Sequence, residues 1–107
     1  MEGFVKKMEL RVILNESDSY QGQSLCRIIV EHAHNLHIPG ATIMQTKGGF
    51  GSRHQIHTSE ILRLSADLPV VISIVDDLEK LIPLVDFIKA RYQGGLLSLQ
   101  EIWVSEK

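Results

Sequence analysis

The run Leu68-Pro69-Val70-Val71-Ile72-Ser73-Ile74-Val75 constrains the fold more than any other stretch of this chain. It is β-branched and nearly all apolar, and it is too short to span a bilayer. Such a run suits a central strand with both faces covered. A central strand needs partners on both edges and helices over a face, so the rest of the chain must supply them.

It does so in order. Met8, Leu10, Val12 and Leu14 alternate with Glu9 and Arg11, the pattern of a half-buried strand. Ile13 breaks the alternation, so the second face is also partly covered. Residues Met1 to Val5 read as a short, loosely held leader, and Asn15-Glu16-Ser17-Asp18-Ser19 as a turn rich in capping residues. From Gly22 to His37 the period becomes helical, through Leu25, Ile28, Ile29, Ala33 and Leu36, with Pro39-Gly40 as the stop. Ala41 to Thr46 is a second strand. After the central strand, Asp76 and Glu79 have capping-box-like spacing. Leu78, Leu81, Ile82, Val85 and Ile88 form a second helical stripe, which Pro83 should kink or delay beyond Asp77. Gly94-Gly95 ends it. Leu97, Leu99, Ile102 and Val104 make the last strand, with a bulge expected at Gln100-Glu101, where the period slips.

The order β-α-β-β-α-β is the ferredoxin-like α+β arrangement, a four-stranded antiparallel sheet with two helices on one face. The whole chain, 1–107, reads as one domain. Ile13, Trp103 and parts of Val70 to Val75 would leave the other sheet face apolar. A homo-oligomer packing sheet faces or edges together would cover it.

Composition removes several function classes. A net charge of -2 argues against general nucleic-acid binding. An RNA-binding version of this fold needs exposed aromatics on the middle strands, and one Trp, two Tyr and three Phe do not supply them there. The single Cys26, beside Leu25 and Ile28, reads as a buried structural thiol and fits a reducing compartment. Met1 to Lys7 has no apolar signal-peptide core. A cytoplasmic protein is expected.

The chemistry concentrates between the second and third strands, from Lys47 to Pro69. Gly48, Gly49 and Gly51 leave backbone N–H groups unshielded, and successive open N–H groups make an anion-binding concavity. Lys47, Arg53 and Arg63 add positive charge. A connection this long is either a binding loop or a plain crossover with loop glycines. Its Lys-Gly-Gly-Phe-Gly opening is not the nucleotide motif Gly-x-x-x-x-Gly-Lys-Ser/Thr. Of the five histidines, only His34 and His37 share a helix face, and His54 and His57 lie three apart in the loop. Without Cys-x-x-Cys or His-Glu-x-x-His, no metal site is expected. Glu16, Asp18, Asp76 and Asp77 stand at element ends, where capping and turn formation explain them as well as acid–base work does.

Gly40-Ala41-Thr42, Gly49-Phe50-Gly51, His57-Thr58, Leu64-Ser65 with Asp67-Leu68-Pro69-Val70, and Val75-Asp76 together resemble an uncharacterised PII-like family of small prokaryotic proteins. Glu16-Ser17-Asp18 with Gly22 and Leu25 also fits, and the resemblance spans about residues 8 to 104. It implies a ferredoxin-like subunit assembled as a homotrimer, related to the PII nitrogen-regulatory signalling proteins. It further implies a small anionic ligand, such as an adenine nucleotide, in the clefts between subunits, and no catalysis. A loop between the second and third strands, here Lys47 to about Leu64, would then dock on a membrane transporter or an enzyme. The ligand-binding residues implied are Lys47, Gly48, Gly49, Phe50, Gly51, Arg53 and His57. Two departures stand out. Gly94-Gly95 replaces a second glycine-rich loop and is followed by no basic residue. Thr46-Lys47-Gly48 stands where many members of that family carry an Arg-Gly pair, which keeps a charge but loses a bidentate donor. Two other functions remain open. One is a divalent-metal-binding ion-tolerance protein of the same superfamily, using His54 and His57. The other is an acylphosphatase-like hydrolase, for which only Asn15 and Asn35 could orient water.

Overall fold

The structure, a computed structural model, describes residues 1–48, 67–92 and 94–106. In chain order they form β1 (Phe4–Asn15), β2 (Ser19–Tyr20), β3 (Gln23–Ser24), α1 (Leu25–Asn35), β4 (Ala41–Gln45), β5 (Pro69–Asp76), α2 (Leu78–Arg91) and β6 (Leu96–Ser105). Four strands make one sheet in the order β4-β5-β1-β6, with every neighbouring pair antiparallel. This is the ferredoxin-like α+β fold expected, and the apolar run lies in an inner strand, β5. Among the described residues no helix is long and apolar enough to cross a membrane.

The side-chain period of two sorts β1 and β5 onto two faces. On one face Leu10 pairs with Ile74, Val12 with Ile72 and Leu14 with Val70. Leu25, Ile29 and Ala33 of α1 and Leu81, Leu84 and Ile88 of α2 close over these pairs, and all twelve side chains are buried. Burying one large apolar side chain contributes roughly 1.5–3 kcal/mol before entropy is counted, so this face holds the fold together. The opposite, open face carries Arg11 and Ile13 of β1, Met44 of β4 and Val71, Ser73 and Val75 of β5.

The local chemistry of the chain corrects several expectations. β1 starts at Phe4, because Phe4 and Val5 pair with Ser105 and Val104; there is no loose leader up to Val5. α1 starts at Leu25 and not at Gly22, because residues 19–24 form a hairpin. Its turn residues Gln21 and Gly22 have φ of 52° and 82°, the sign that a type I′ turn requires at both central positions. Ser24 then caps α1, its hydroxyl oxygen accepting from the Arg27 N–H at 3.3 Å.

α1 ends before Pro39-Gly40. His37 adopts φ 63°, its N–H donates to the His34 carbonyl at 3.0 Å, and the Ile38 N–H donates to the Ala33 carbonyl at 3.2 Å. That is a Schellman motif with histidine in the left-handed position usually given to glycine. His37 is therefore outside the helix and does not share a helical face with His34. At the second helix, Asp77 is the N-cap and makes no side-chain capping bond, so Asp76 and Glu79 are not a capping box. α2 starts at Leu78 and runs through Pro83, which sits on its exposed side, where the carbonyl left unpaired faces solvent. β6 carries no bulge: its register with β1 is unbroken from Phe4–Ser105 to Ile13–Leu96. The apolar residues change faces instead. Leu97, Leu99 and Trp103 lie on the helix side with Leu10, and Ile102 and Val104 on the open side, so Trp103 does not belong to the open face. Cys26 is half-buried against the core, and burial pushes its thiol pKa up.

Candidate ligand site along β4

Lys47 and Gly48 follow the end of β4, Lys47 exposed and Gly48 half-buried. Gly49, Phe50, Gly51, Arg53 and His57 lie outside the described residues, as do His54 and Arg63. The two stems of this connection are held to each other and to the turn after β1. The Thr46 N–H and hydroxyl both donate to the Pro69 carbonyl, at 3.2 and 2.7 Å. The Glu16 N–H donates to the Leu68 carbonyl at 2.9 Å, and the Leu68 N–H donates back to Glu16 Oε1 at 3.4 Å. Glu16 Oε2 accepts from the Gln45 side-chain amide. Asp67 Oδ1 accepts from the Ser17 N–H at 3.1 Å.

At the other end of β4 a cleft of about 400 Å³ is lined by Lys7, Gly40, Thr42, Ser73 and Asp76, among others. β4 advances about 3.3 Å per residue, so this cleft and Lys47 are separated by on the order of 15 Å. The Lys7 ammonium donates to Asp77 Oδ1 at 2.8 Å. This bond raises the Lys7 pKa and lowers that of Asp77, and it orients a half-buried cation beside the cleft. Asp76 is only 6% exposed. Its Oδ1 accepts from the Asp77 N–H at 2.7 Å, whereas its Oδ2 has no hydrogen-bond partner among the described residues. A buried carboxylate oxygen without a donor is costly. By register Asp76 shares the helix-side face with Ile74, whereas Thr42 and Ser73 lie on the open face.

Between cleft and neighbouring strands, the open sheet face has a polar centre. Glu9, 7% exposed, accepts from the Ser73 hydroxyl at 2.5 Å, the Gln100 amide at 2.6 Å and Arg11 Nε at 3.1 Å. The Ser73 hydroxyl is the chief reason its carboxyl titrates below the ordinary range. Asn15 is buried at the end of β1 and Asn35 ends α1 on the exposed side, so no pair of asparagines converges here. Among the described residues, no three of His, Cys, Asp and Glu are grouped as metal ligands would be.

The sequence points to the Lys47 end of β4 and misses the Lys7–Thr42–Asp76 end. Those three residues come from separate strands, and only sheet pairing brings them together. Asp76 has a local signal, a carboxylate closing an otherwise apolar strand, but helix capping explains that pattern equally well.

The chain matches the model of the DUF190 family, described as Uncharacterized ACR, over residues 7–104. A UPF0166 protein of Aquifex aeolicus is 31% identical over 100 residues, covering 94% of each chain. A UPF0166 protein of Methanocaldococcus jannaschii is 33% identical over 72 residues, covering 67% of this chain and 66% of its own. Among solved structures, CPII from Thiomonas intermedia K12 bound to ADP and bicarbonate superposes with a TM-score of 0.68 at 19% identity, covering 96% of this chain and 92% of that one. The apo form of CPII, a nitrogen regulatory PII-like protein, gives 0.63 at 16% identity over 97% of each chain. The chain belongs to the DUF190 (UPF0166) family, and its fold is that of the PII-like nitrogen regulatory proteins.

Proposed function

We propose that this protein is a non-catalytic, PII-like regulator that works as a homotrimer in the cytoplasm. In this reading it binds an adenine nucleotide along β4, in the cleft between neighbouring subunits. The observation that carries the reading is the pair of complementary ends on one short strand. The Thr42 end offers a hydroxyl, beside Ser73 on the same open face of the cleft, to a base amino group. The Lys47–Gly48 end offers an ammonium and the first glycine amide of a segment suited to phosphate. The ADP-bound CPII structure, on the same fold, supports this choice of ligand. Ligand binding then biases residues 47–64 between arrangements that differ in affinity for a transporter or an enzyme, by its own differential affinity for the two.

The sheet edges support assembly. All five residues of β4 are exposed, and β6 is a ten-residue edge strand without Lys, Arg or Pro. Edges so poorly guarded pair readily with another chain, and unlike edges brought together in a closed rotation give a ring.

Thermal denaturation with ADP, ATP and AMP at millimolar concentration tests the ligand. A specific binder at a hundred times its Kd adds about 2.7 kcal/mol of stability. A raised Tm with at least one nucleotide, reduced in Thr42→Val, is expected. No shift with any of the three overturns the nucleotide reading.

A further inference from the structure

Glu16 stands where three segments meet: the turn after β1 and the two stems of the connection between β4 and β5. Pro69 has no N–H, so the β1–β5 ladder cannot continue normally past the Asn15–Pro69 pair. Glu16 takes over there. It donates its backbone N–H to Leu68 and accepts the Leu68 N–H on Oε1, while Oε2 accepts the Gln45 amide of the other stem. Leu68 is 3% exposed, which anchors the return stem to the core. The Glu16 carboxylate enters none of the ion pairs among the described residues; both of its oxygens go to the stems.

We propose that Glu16 is a positioning residue for the ligand segment: one carboxylate sets the spacing and register of both stems, and with them the placement of Lys47 and Gly48. Only the consequence for ligand binding rests on the nucleotide reading; the clip itself does not. Its neighbour Asp18 extends the same turn to the other glycine-bearing connection. Asp18 Oδ2 accepts from the Asn15 N–H at 2.8 Å and from the Tyr92 hydroxyl, at the end of α2.

The test is a swap. Gln45→Glu sets a second carboxylate against Glu16 and should force the stems apart. Adding Glu16→Gln restores a donor: the side-chain amide now at position 16 can donate to the carboxylate now at position 45, while its carbonyl accepts from Leu68. Amide hydrogen exchange without ligand is the first readout. In Q45E the Thr46 and Leu68 amides should exchange about tenfold faster, with core amides of Leu10 and Ile72 unchanged within about twofold; E16Q/Q45E should return all four to wild type. An equal rise at the core amides assigns Glu16 to general stability and overturns the proposal. So does wild-type exchange at Leu68 in Q45E, or failure of the swap to rescue. ADP titration is the second readout, with affinity lowered in Q45E and restored in the double variant. If the wild-type protein binds no ADP, the nucleotide reading fails, and the exchange data still decide the clip.

Discussion

Glu9 shows what a single residue can and cannot announce. Its place in an alternating strand is plain from Met8 to Leu14, and alternation puts it on the solvent side. Its near-complete burial there is not plain, because Ser73 and Gln100 come from two other strands. The three donors hold its carboxyl pKa below the ordinary value near 4.5, against the opposing effect of burial. A carboxyl whose folded pKa is lowered adds stability above the unfolded value, and that stability disappears as pH falls through the folded value. Glu9→Gln should therefore cost about 1–3 kcal/mol at pH 7 and much less at about pH 3. Urea titrations of both proteins at several pH values check this, and parallel pH curves would refute it. Gly95 tells a similar story. It reads as a helix terminator, yet its stronger constraint is packing: a Cβ there would collide with the Tyr92 ring and the Ile13 carbonyl oxygen.

At the scale of elements, hydrophobic period identifies both helices and all four sheet strands, and the errors fall at the ends. Periodicity alone draws residues 22–24 into helix α1, because it carries no sign of the hairpin turn at Gln21-Gly22. Pro39-Gly40 is the visible stop for α1, although the backbone has already turned at His37. An L-residue in the left-handed region costs roughly 1–2 kcal/mol, part of which glycine gives back through its greater freedom in the unfolded chain. His37→Gly should raise unfolding stability by about 0.5–1 kcal/mol, since the exposed imidazole makes no hydrogen bond among the described residues. Equilibrium denaturation with the sign reversed would mean that the imidazole makes a stabilising contact. In β6 the slipped period suggests a bulge, and the strand shows instead apolar residues on both faces. An edge strand apolar on both sides is unusual for an isolated sheet and fits one that meets other chains.

At the scale of the molecule, the open sheet face is neither a core nor an ordinary solvated surface. Ile13, Val71 and Val75 surround the Glu9 network there, and Met44, 39% exposed, extends it toward the β4 edge. If the proposed homotrimer forms through this face, Met44→Glu should lower the mass seen by light scattering from trimer to monomer while leaving the circular dichroism spectrum unchanged, because Met44 is outside the buried core. A wild-type protein with the mass of a single chain removes the assembly. The order of elements, the inner strand and the face packed under the helices are all legible in the residue string. Periodicity and turn chemistry act between near neighbours, so they survive in a string of residues. Three features emerge only on folding: Lys7, Thr42 and Asp76 line one cleft, Glu16 holds two stems, and a carboxylate lies buried on the outer side of the sheet. Each depends on strands far apart in sequence lying side by side, and that register arises only when the helices bury Leu10, Ile72 and their neighbours.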